Sequence, residues 1–339
     1  MARDATTFAE LQAADVLAAA HRLRGVVTRT TLRRSDKLSA HVRADVYLKL
    51  ETEQLTGSYK VRGAFNSIAS LDERARAKGV VASSAGNHGL GVAWAAHHFG
   101  IPALIFIPDN APEVKRRGIE AMGARVDRSA PHYDAAMAAA KAHGEQHGLK
   151  FINPCLDNAV IAGQGTVALE ILEDLPDAKT LVLSVGGAGL LAGTASLIRR
   201  IAPEVTILGA QSVATAAMSK SLAAGRVVHI ESEKTLADGL AGDIDEFALD
   251  VGRNGLDQIV TVEESDLADA IAWLYHEENL TVEGAGAAGV AALLTRKLKP
   301  DGPVAVVVTG GNIDRERLEE VLTTRAKRAA GSGQRQRAS

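Results

Sequence analysis

The chain has 339 residues with a formal net charge of −3, and 46% of its residues are hydrophobic. Because one hydrophobic core rarely serves a chain of this length, we expect two domains. Lysine and arginine form no long run before the C-terminal Arg-Gln-Arg, which argues against nucleic acid as the main partner. The longest apolar runs are strand-sized and the N-terminus lacks an apolar core, so we expect neither a membrane span nor an export signal.

The cysteine content bears on the cellular compartment. Cys155 is the only cysteine, which excludes an intrachain disulfide, and no Cys/His cluster offers a zinc site. A chain without structural disulfides suits a reducing environment. We therefore predict a cytoplasmic protein.

Short β-rich segments alternate along the chain with longer alanine-rich segments, which is the βαβ pattern of parallel sheets. The strand-like segments comprise residues 79–82, 103–107, 180–185, 206–210 and 304–308. The helix-like segments among them comprise residues 91–99, 113–122 and 189–201. Periodicity alone therefore predicts an α/β protein with two parallel sheets.

Lys60 follows the strand-like segment 46–50 and lies between two glycines, Gly57 and Gly63. A lysine amine is a poor nucleophile while it is protonated, so a reactive role requires burial or a cationic neighbour that favours the neutral form. Arg62 is a candidate for that neighbour. The alternative for an isolated lysine is a solvated surface position, and only the rest of the chain decides between the two.

A second feature is an apolar strand-like run that ends in Gly186, Gly187, Ala188 and Gly189, with a helix-forming stretch from Leu190. Backbone N–H groups bared by small residues at a helix N-terminus suit a phosphate dianion. The Gly-x-Gly-x-x-Ala spacing also fits the fingerprint of a nicotinamide dinucleotide site. A dinucleotide site also requires an acidic residue after the next strand, and this chain has a glutamine and a serine there instead. A ligand-free turn is the third interpretation.

Four ordered segments resemble the motifs of the fold-type II pyridoxal phosphate enzymes, namely the threonine and serine dehydratases and their relative serine racemase. They are residues 56–65 with Ser-Tyr-Lys-Val-Arg-Gly-Ala, 83–89 with Ser-Ala-Gly-Asn-His, 184–193 with the glycine loop, and 309–314 with Thr-Gly-Gly-Asn-Ile-Asp. The resemblance spans residues 10–325. It implies pyridoxal 5'-phosphate as cofactor and an α/β fold of two parallel-sheet, three-layer domains, with the small domain inserted in the large one.

On this resemblance, the large cofactor-binding domain comprises residues 1–80 and 158–327, and the small domain with the substrate loop comprises residues 81–157. The remaining residues, 328–339, lack apolar content, so we predict a disordered tail. The family also implies a homodimer that acts on a small-molecule amino acid.

The resemblance assigns the residues of the cofactor site. Lys60 would bind the cofactor aldehyde covalently, with Tyr59 against one face of the ring and Gly239 opposite. Asn87 would bond the ring hydroxyl, and Thr309 would face the ring nitrogen, where relatives mostly carry serine. The phosphate would bind the loop of Gly186, Gly187, Ala188, Gly189 and Leu190.

Two of the assigned positions carry open questions. Relatives usually have four glycines in the phosphate loop, and Ala188 is tolerable only if its φ angle is negative and its Cβ points away from the phosphate. Glu283 matches an acidic residue that lies near the cofactor in the family. For a glutamate that opens a helix, interaction with the helix dipole is the alternative.

The substrate carboxylate would bind the loop of Ser84, Ala85, Gly86, Asn87 and His88, which precedes a helix-like segment. Lys60 and Ser84 are the candidate catalytic residues, and His88 would be a further donor. Racemisation requires an acid or base on both faces of the substrate. Serine racemase supplies a serine on the second face where this chain has Ala85. Because alanine cannot transfer a proton, the sequence favours a dehydratase over a racemase.

Many relatives also bind a divalent cation through an acidic residue after the strand matched by residues 206–210 and an aspartate six residues further on. This chain has Gln211 and Ala217 at those positions. Divalent cations prefer several oxygen ligands, usually with a carboxylate among them. We therefore predict no metal at that site.

The sequence thus predicts a pyridoxal phosphate-dependent ammonia-lyase that converts a β-hydroxy amino acid, most simply L-threonine or L-serine, to a 2-oxo acid and ammonia. Alternative substrates are 3-hydroxyaspartate, phenylserine and amino acids derived from hydroxyectoine. Alternative functions are an amino acid racemase, a non-catalytic cofactor-binding protein on the same fold, and a nicotinamide-dependent oxidoreductase.

Overall fold

A computed structural model describes residues 4–231 and 234–336. Within these residues the chain forms the strands β1 (Leu32–Arg34), β2 (Val46–Leu50), β3 (Val80–Ser83), β4 (Ala103–Pro108), β5 (Arg125–Ala130), β6 (Lys150–Phe151), β7 (Thr180–Ser184), β8 (Thr206–Ser212), β9 (Gln258–Val262) and β10 (Val304–Val308). The helices are α1 (Ala13–Leu23), α2 (Asp36–Val42), α3 (Lys60–Ala69), α4 (Glu73–Lys78), α5 (Asn87–His98), α6 (Glu113–Ala121), α7 (Tyr133–His147), α8 (Asn158–Asp174), α9 (Gly189–Ile201), α10 (Ala217–Ala224), α11 (Glu246–Gly255), α12 (Glu264–Glu278), α13 (Gly284–Leu294) and α14 (Arg315–Gln336).

The large sheet has six strands in the order β1-β2-β10-β7-β8-β9. Neighbouring strands are parallel except for β1, which pairs antiparallel with β2 at one edge. All five residues of the central strand β10 are apolar and buried, as expected for a parallel strand covered on both faces. Alternate residues serve two cores: Ala305 and Val307 pack with α8 and α9, whereas Val304, Val306 and Val308 pack with α12 and α13. The sheet is therefore the middle of three layers.

The small sheet has four parallel strands in the order β5-β4-β3-β6. Residues of β3 and β4 again alternate between two cores. Ala82 and Ile105 pack in the core that contains α5, and Val81 and Phe106 pack in the core that contains α7. This sheet is also covered on both faces.

The two sheets are nested along the chain. The strands of the small sheet come from residues 80–151, and the large sheet is assembled from the segments on both sides of them. The expectation of a small parallel-sheet domain inserted in a larger one is confirmed. The division at 1–80, 81–157 and 158–327 remains a prediction, and β3 already begins at Val80.

The C-terminal helix is longer than the sequence analysis predicted. Helix α14 continues to Gln336, so the backbone of residues 328–336 is helical where a disordered tail was predicted, and that prediction is wrong for these residues. Alanine, arginine and glutamine make up six of residues 328–336 and are strong helix formers, whereas Gly331 and Gly333 are weak ones. Residues 337–339 of the predicted tail lie outside the described residues.

Candidate functional site

Three of the candidate site segments follow three neighbouring parallel strands. Residues 57–60 follow β2, residues 309–312 follow β10, and residues 186–189 follow β7. In the order β2-β10-β7 these strands run side by side, so their carboxyl ends meet at one edge of the sheet, where ligands bind in open α/β folds. The first two segments are also bonded directly, because the Tyr59 N–H donates to the Thr309 carbonyl oxygen over 3.2 Å.

Lys60 is the first residue of α3 and is half-buried, with its Nζ 5.2 Å from the centre of the Tyr59 ring. Burial lowers the pKa of the Lys60 amine, but the acidic groups of Tyr59 and Cys155 raise it by more, so the pKa lies above its ordinary value. In the described structure the side chain is therefore an ammonium at neutral pH.

The proposed help from Arg62 is wrong. Its guanidinium is fully buried and pairs with Glu51 over 2.8 Å and with Glu170 over 2.6 Å, and Lys49 pairs with Glu170 as well. A cation neutralised by two carboxylates cannot lower the pKa of a neighbouring amine by repulsion. The four side chains instead fasten the first turn of α3, and thus Lys60, to β2 and α8.

The glycine loop leads from β7 into α9, which begins at Gly189. Ala188 is the residue before the helix and has a φ angle of +67°, so the negative φ that was the condition for an alanine at this position is not met. The left-handed conformation costs a residue with a Cβ about 1 kcal/mol. It turns the chain sharply into α9 without a side-chain cap, which leaves the first-turn N–H groups open to an anion.

Close packing explains why small residues flank Ala188. A Cβ added to Gly187 would lie 2.7 Å from the Cys155 sulfur, and one added to Gly189 would lie 2.8 Å from the Pro154 carbonyl oxygen. The loop therefore rests on the segment that returns from the small domain. Cys155, which the sequence does not mark as a site residue, therefore lines the candidate site.

Gly239 lies in a short 3-10 helix, Asp238–Leu240, that packs against the glycine loop. A Cβ on Gly186 would lie 3.0 Å from the Leu240 Cα, and a Cβ on Gly239 would lie 3.1 Å from the Ala285 Cβ. The structure thus brings Gly239 beside the glycine loop. Its place opposite Tyr59 across a cofactor ring stays a prediction.

The candidate substrate loop joins β3 to α5. The Gly86 N–H donates to the Ser84 Oγ over 3.1 Å, and Gly86 precedes the helix that starts at Asn87. Gly89 has no room for a Cβ, which would lie 2.1 Å from the Ser84 carbonyl oxygen. The same helix approaches α3 closely, since a Cβ on Gly91 would lie 3.1 Å from the backbone nitrogen of Val61. The loop and Lys60 are therefore held together by helix packing.

His88 does not fit the role of a carboxylate donor. Its Nε2 is 2.8 Å from the Ile152 carbonyl oxygen, which can only accept, so Nε2 carries the proton and Nδ1 is an acceptor. Burial, together with the charge of Lys60, lowers the pKa of His88 to about 4. The imidazole is neutral, and the expected further donor is wrong because the ring is used to join α5 to the end of β6.

Asn87 belongs to a chain of side-chain hydrogen bonds. Its Nδ2 donates to Glu283 Oε1 and its Oδ1 accepts from Asn312 Nδ2, both over 2.7 Å. Asn312 Nδ2 also donates to the Thr56 carbonyl oxygen over 2.8 Å. Burial raises the pKa of Glu283 to about 7, with a further rise from Asp238 that the bond from Asn87 opposes. Glu283, which directly precedes α13, therefore reaches the candidate site in addition to opening a helix.

Some contributors were not among the predicted site residues. Asn312 lay within the quoted Thr-Gly-Gly-Asn-Ile-Asp segment, so its polar side chain was a usable signal. Lys115 of α6 forms an ion pair with Asp238 over 2.9 Å and so connects the small domain to the loop of Gly239. Nothing in the sequence indicates that pairing, because the two residues are far apart along the chain.

No helix in the described part of the chain is both long enough and apolar enough to span a membrane. Within the same residues, no group of three or more histidine, cysteine, aspartate or glutamate side chains is arranged to hold a metal ion. At the position where relatives carry a metal-binding acid, the Gln211 side chain donates to the Thr215 carbonyl oxygen and accepts from the Ser219 N–H, each over 3.0 Å. The absence of a metal there stays a prediction.

A lysine at the carboxyl edge of a parallel sheet, between a glycine loop at a helix N-terminus and an asparagine-bearing loop, is typical of enzymes that bind a phosphorylated aldehyde through lysine. The family model described as "Pyridoxal-phosphate dependent enzyme" matches residues 23–310. The chain belongs to this family. The predicted fold-type II class is thereby confirmed, and the nicotinamide alternative is wrong.

Individual relatives support the same placement. The L-threonine ammonia-lyase of Thermotoga maritima is 43% identical over 312 residues, 91% of this chain and 77% of the relative. The catabolic L-threonine dehydratase TdcB of Escherichia coli strain K12 is 36% identical over 313 residues, 91% of this chain and 94% of the relative. Among solved structures, maize serine racemase superposes with a TM-score of 0.87 at 32% identity, covering 94% of this chain and 99% of that one.

Proposed function

We propose that the protein is a pyridoxal phosphate-dependent ammonia-lyase that converts a β-hydroxy amino acid, most simply L-threonine or L-serine, to a 2-oxo acid and ammonia. The observation that supports it most is the position of Lys60, on the helix that packs against both α8 of the large domain and α5, which carries the substrate loop. The names of the threonine ammonia-lyase and dehydratase relatives support the reaction.

The donors of the site fit the cofactor. Lys60 supplies the amine that an aldehyde requires, and the uncapped first turn of α9 suits a phosphate. Asn87 has a second N–H besides the one bound to Glu283, and it would donate to the ring hydroxyl. Thr309 would face the ring nitrogen, with Tyr59 and Gly239 against the two ring faces. When bound, pyridoxal phosphate supplies an electron sink that makes the α-proton of an amino acid acidic.

The substrate loop and Lys60 would then share the work on the amino acid. The N–H groups at the start of α5 bind its α-carboxylate. The Ser84 oxygen accepts from Gly86, which leaves the hydroxyl hydrogen for a carboxylate oxygen of the substrate. The Lys60 amine takes the α-proton as a general base.

Ala85 distinguishes a lyase from a racemase. Returning a proton to the opposite face of the substrate requires a side chain that carries one, and the methyl group of Ala85 cannot. Of the two serines that precede Ala85, Ser84 accepts from the Gly86 N–H, and Ser83 is fully buried. We therefore expect the enzyme to release 2-oxo acid without accumulating the mirror-image amino acid.

The experiment is a measurement of 2-oxo acid release by the cofactor-loaded protein from L- and D-forms of threonine, serine, 3-hydroxyaspartate and phenylserine. Turnover of one of these amino acids would identify the substrate. Chiral chromatography of the unreacted amino acid tests for racemisation. No release from any member, with the cofactor bound, would refute the lyase and favour a binding role.

The role of Lys60 is tested by Lys60→Ala, which should abolish both turnover and the visible absorbance of the covalently bound cofactor. Lys141→Ala, at an exposed position of α7, is the matched control and should retain both. Retention of turnover and absorbance in Lys60→Ala would contradict the assignment of the lysine.

We also propose a homodimer in the cytoplasm. The family resemblance supports the dimer, and the single free cysteine is compatible with a reducing compartment. Light scattering at working concentration tests the dimer, and a fractionation experiment with the expressing cells tests the compartment.

A further inference from the structure

The orientation of the Asn87 side chain follows from the atoms around it. An amide oxygen and nitrogen are alike in shape, so only the hydrogen-bond partners decide which of them faces a given neighbour. On one side of Asn87 is the carboxyl group of Glu283, and on the other is the amide of Asn312, each 2.7 Å away. Both neighbours are held by other parts of the chain.

The chain of bonds has a fixed direction because it ends on a backbone carbonyl. The Thr56 oxygen can only accept, so the atom of Asn312 that lies 2.8 Å from it must be the nitrogen. The second hydrogen of that nitrogen is directed to Asn87, which must present its oxygen. The nitrogen of Asn87 therefore faces Glu283.

Asn312 is itself tightly placed. Gly57 has a φ angle of +71°, and a Cβ on it would lie 2.5 Å from the Asn312 Oδ1. The Gly311 N–H donates to the Gly57 carbonyl oxygen over 2.9 Å. The backbone beside Asn312 is thus bonded to the turn that leads into Lys60, and although Asn312 is exposed, its amide is placed by its bonds to the Thr56 carbonyl oxygen and to Asn87.

We propose that Asn312 is a positioning residue that, together with Glu283, holds the Asn87 amide with its nitrogen toward the cofactor ring. One N–H of Asn87 is used by Glu283, and the other would donate to the ring hydroxyl oxygen. A rotated amide would present its oxygen there, so Asn87 could no longer donate to the ring oxygen. The inference rests on the proposed function, because it assumes that Asn87 contacts the cofactor.

The arrangement also joins the two domains at the cofactor. Asn87 begins α5 of the small domain, whereas Asn312 and Glu283 belong to the large domain. A cofactor that accepts from Asn87 therefore binds to a donor whose direction is set from the opposite domain. No predicted site residue other than Asn87 and Glu283 takes part in these bonds.

The test is a double-variant cycle on the dissociation constant of pyridoxal 5'-phosphate, measured by absorbance on the cofactor-free protein. Asn312→Asp replaces the donor with an acceptor of the same shape, so Asn87 can no longer keep its oxygen on that side. We expect binding to weaken by about tenfold, the upper end of the usual effect of losing one hydrogen bond. In an Asn87→Ala background the same change should alter the constant by less than about twofold.

Three controls separate the outcomes. Asn110→Asp, at an exposed position, measures the effect of the added charge alone. Asn312→Ala removes the donor without adding charge and should give the same pattern with a smaller loss, and urea midpoints of the cofactor-free variants report folding. The absorbance maximum of the bound cofactor should shift in Asn312→Asp, because the bond to the ring hydroxyl is lost.

An equal weakening by Asn312→Asp in both backgrounds would overturn the inference, since Asn312 would then act without Asn87. Unchanged binding in Asn312→Asp would overturn it too. Unchanged binding in Asn87→Ala would instead refute the proposed contact between Asn87 and the cofactor, and the inference with it, while the lyase assignment would still be decided by substrate turnover.

Discussion

Glu283→Gln should remove a pH dependence from the stability of the cofactor-free protein. The pKa of Glu283 is raised from 4.5 to about 7, first by burial and then by Asp238. Between these values the folded protein keeps a proton that the unfolded chain has lost, so stability falls as the pH rises through this range. The shift of about 2.5 pKa units corresponds to a loss of about 3 kcal/mol, of which about 2 kcal/mol falls between pH 5.5 and 7.

Glutamine preserves the oxygen that accepts from Asn87 and has no proton to lose, so the variant should be the more stable protein at pH 8. Urea unfolding from pH 5.5 to 8.5, followed by the fluorescence of Trp273 in a Trp94→Phe background, reports the core that holds α13. Glu204→Gln, which removes an exposed carboxylate, is the control. Identical pH profiles for wild type and Glu283→Gln would refute the raised pKa.

Arg62→Met should destabilise the protein by about 3–5 kcal/mol, because it leaves the buried Glu51 carboxylate without its cation. Adding Glu51→Gln should recover most of the loss, and equal urea midpoints for the single and double variants would contradict this. Ala188→Gly should raise stability by about 0.5 kcal/mol, since relief of the left-handed conformation slightly exceeds the entropy cost of glycine; a lower urea midpoint would oppose it. Gly187→Ala should weaken pyridoxal phosphate binding through its clash with the Cys155 sulfur, so Cys155→Ala should restore the affinity in the double variant.

Much of the fold was predictable because its signals are local. The apolar run 304–308 predicts a strand, and the structure has β10 with the same bounds. The glycine loop was read as a strand-to-helix turn, and it joins β7 to α9. Both follow from apolar content and residue size over a few neighbouring positions. The insertion of one sheet in another came from the resemblance, since periodicity alone does not order strands.

The details of the site were less predictable because they depend on contacts between distant segments. Arg62 was expected to activate Lys60, but carboxylates from β2's end and from α8 neutralise it. His88 is expected from the sequence to donate to the substrate, but its Nε2–H donates to the carbonyl oxygen of Ile152. In each case the residue type is compatible with both the predicted role and the observed one. Only the ion-pair or hydrogen-bond partner in the folded protein distinguishes the two roles.

The amino-acid sequence by itself determined the alternation of strands and helices, the family, and the choice of Lys60 as the candidate catalytic lysine. These depend on local composition and on ordered motifs. Only the tertiary structure decided the left-handed φ of Ala188, the wall formed by Cys155 and the bonds that orient Asn87. Those properties arise where the carboxyl ends of several strands and the two domains meet. The free energy of such contacts depends on distances between segments, which no single segment encodes.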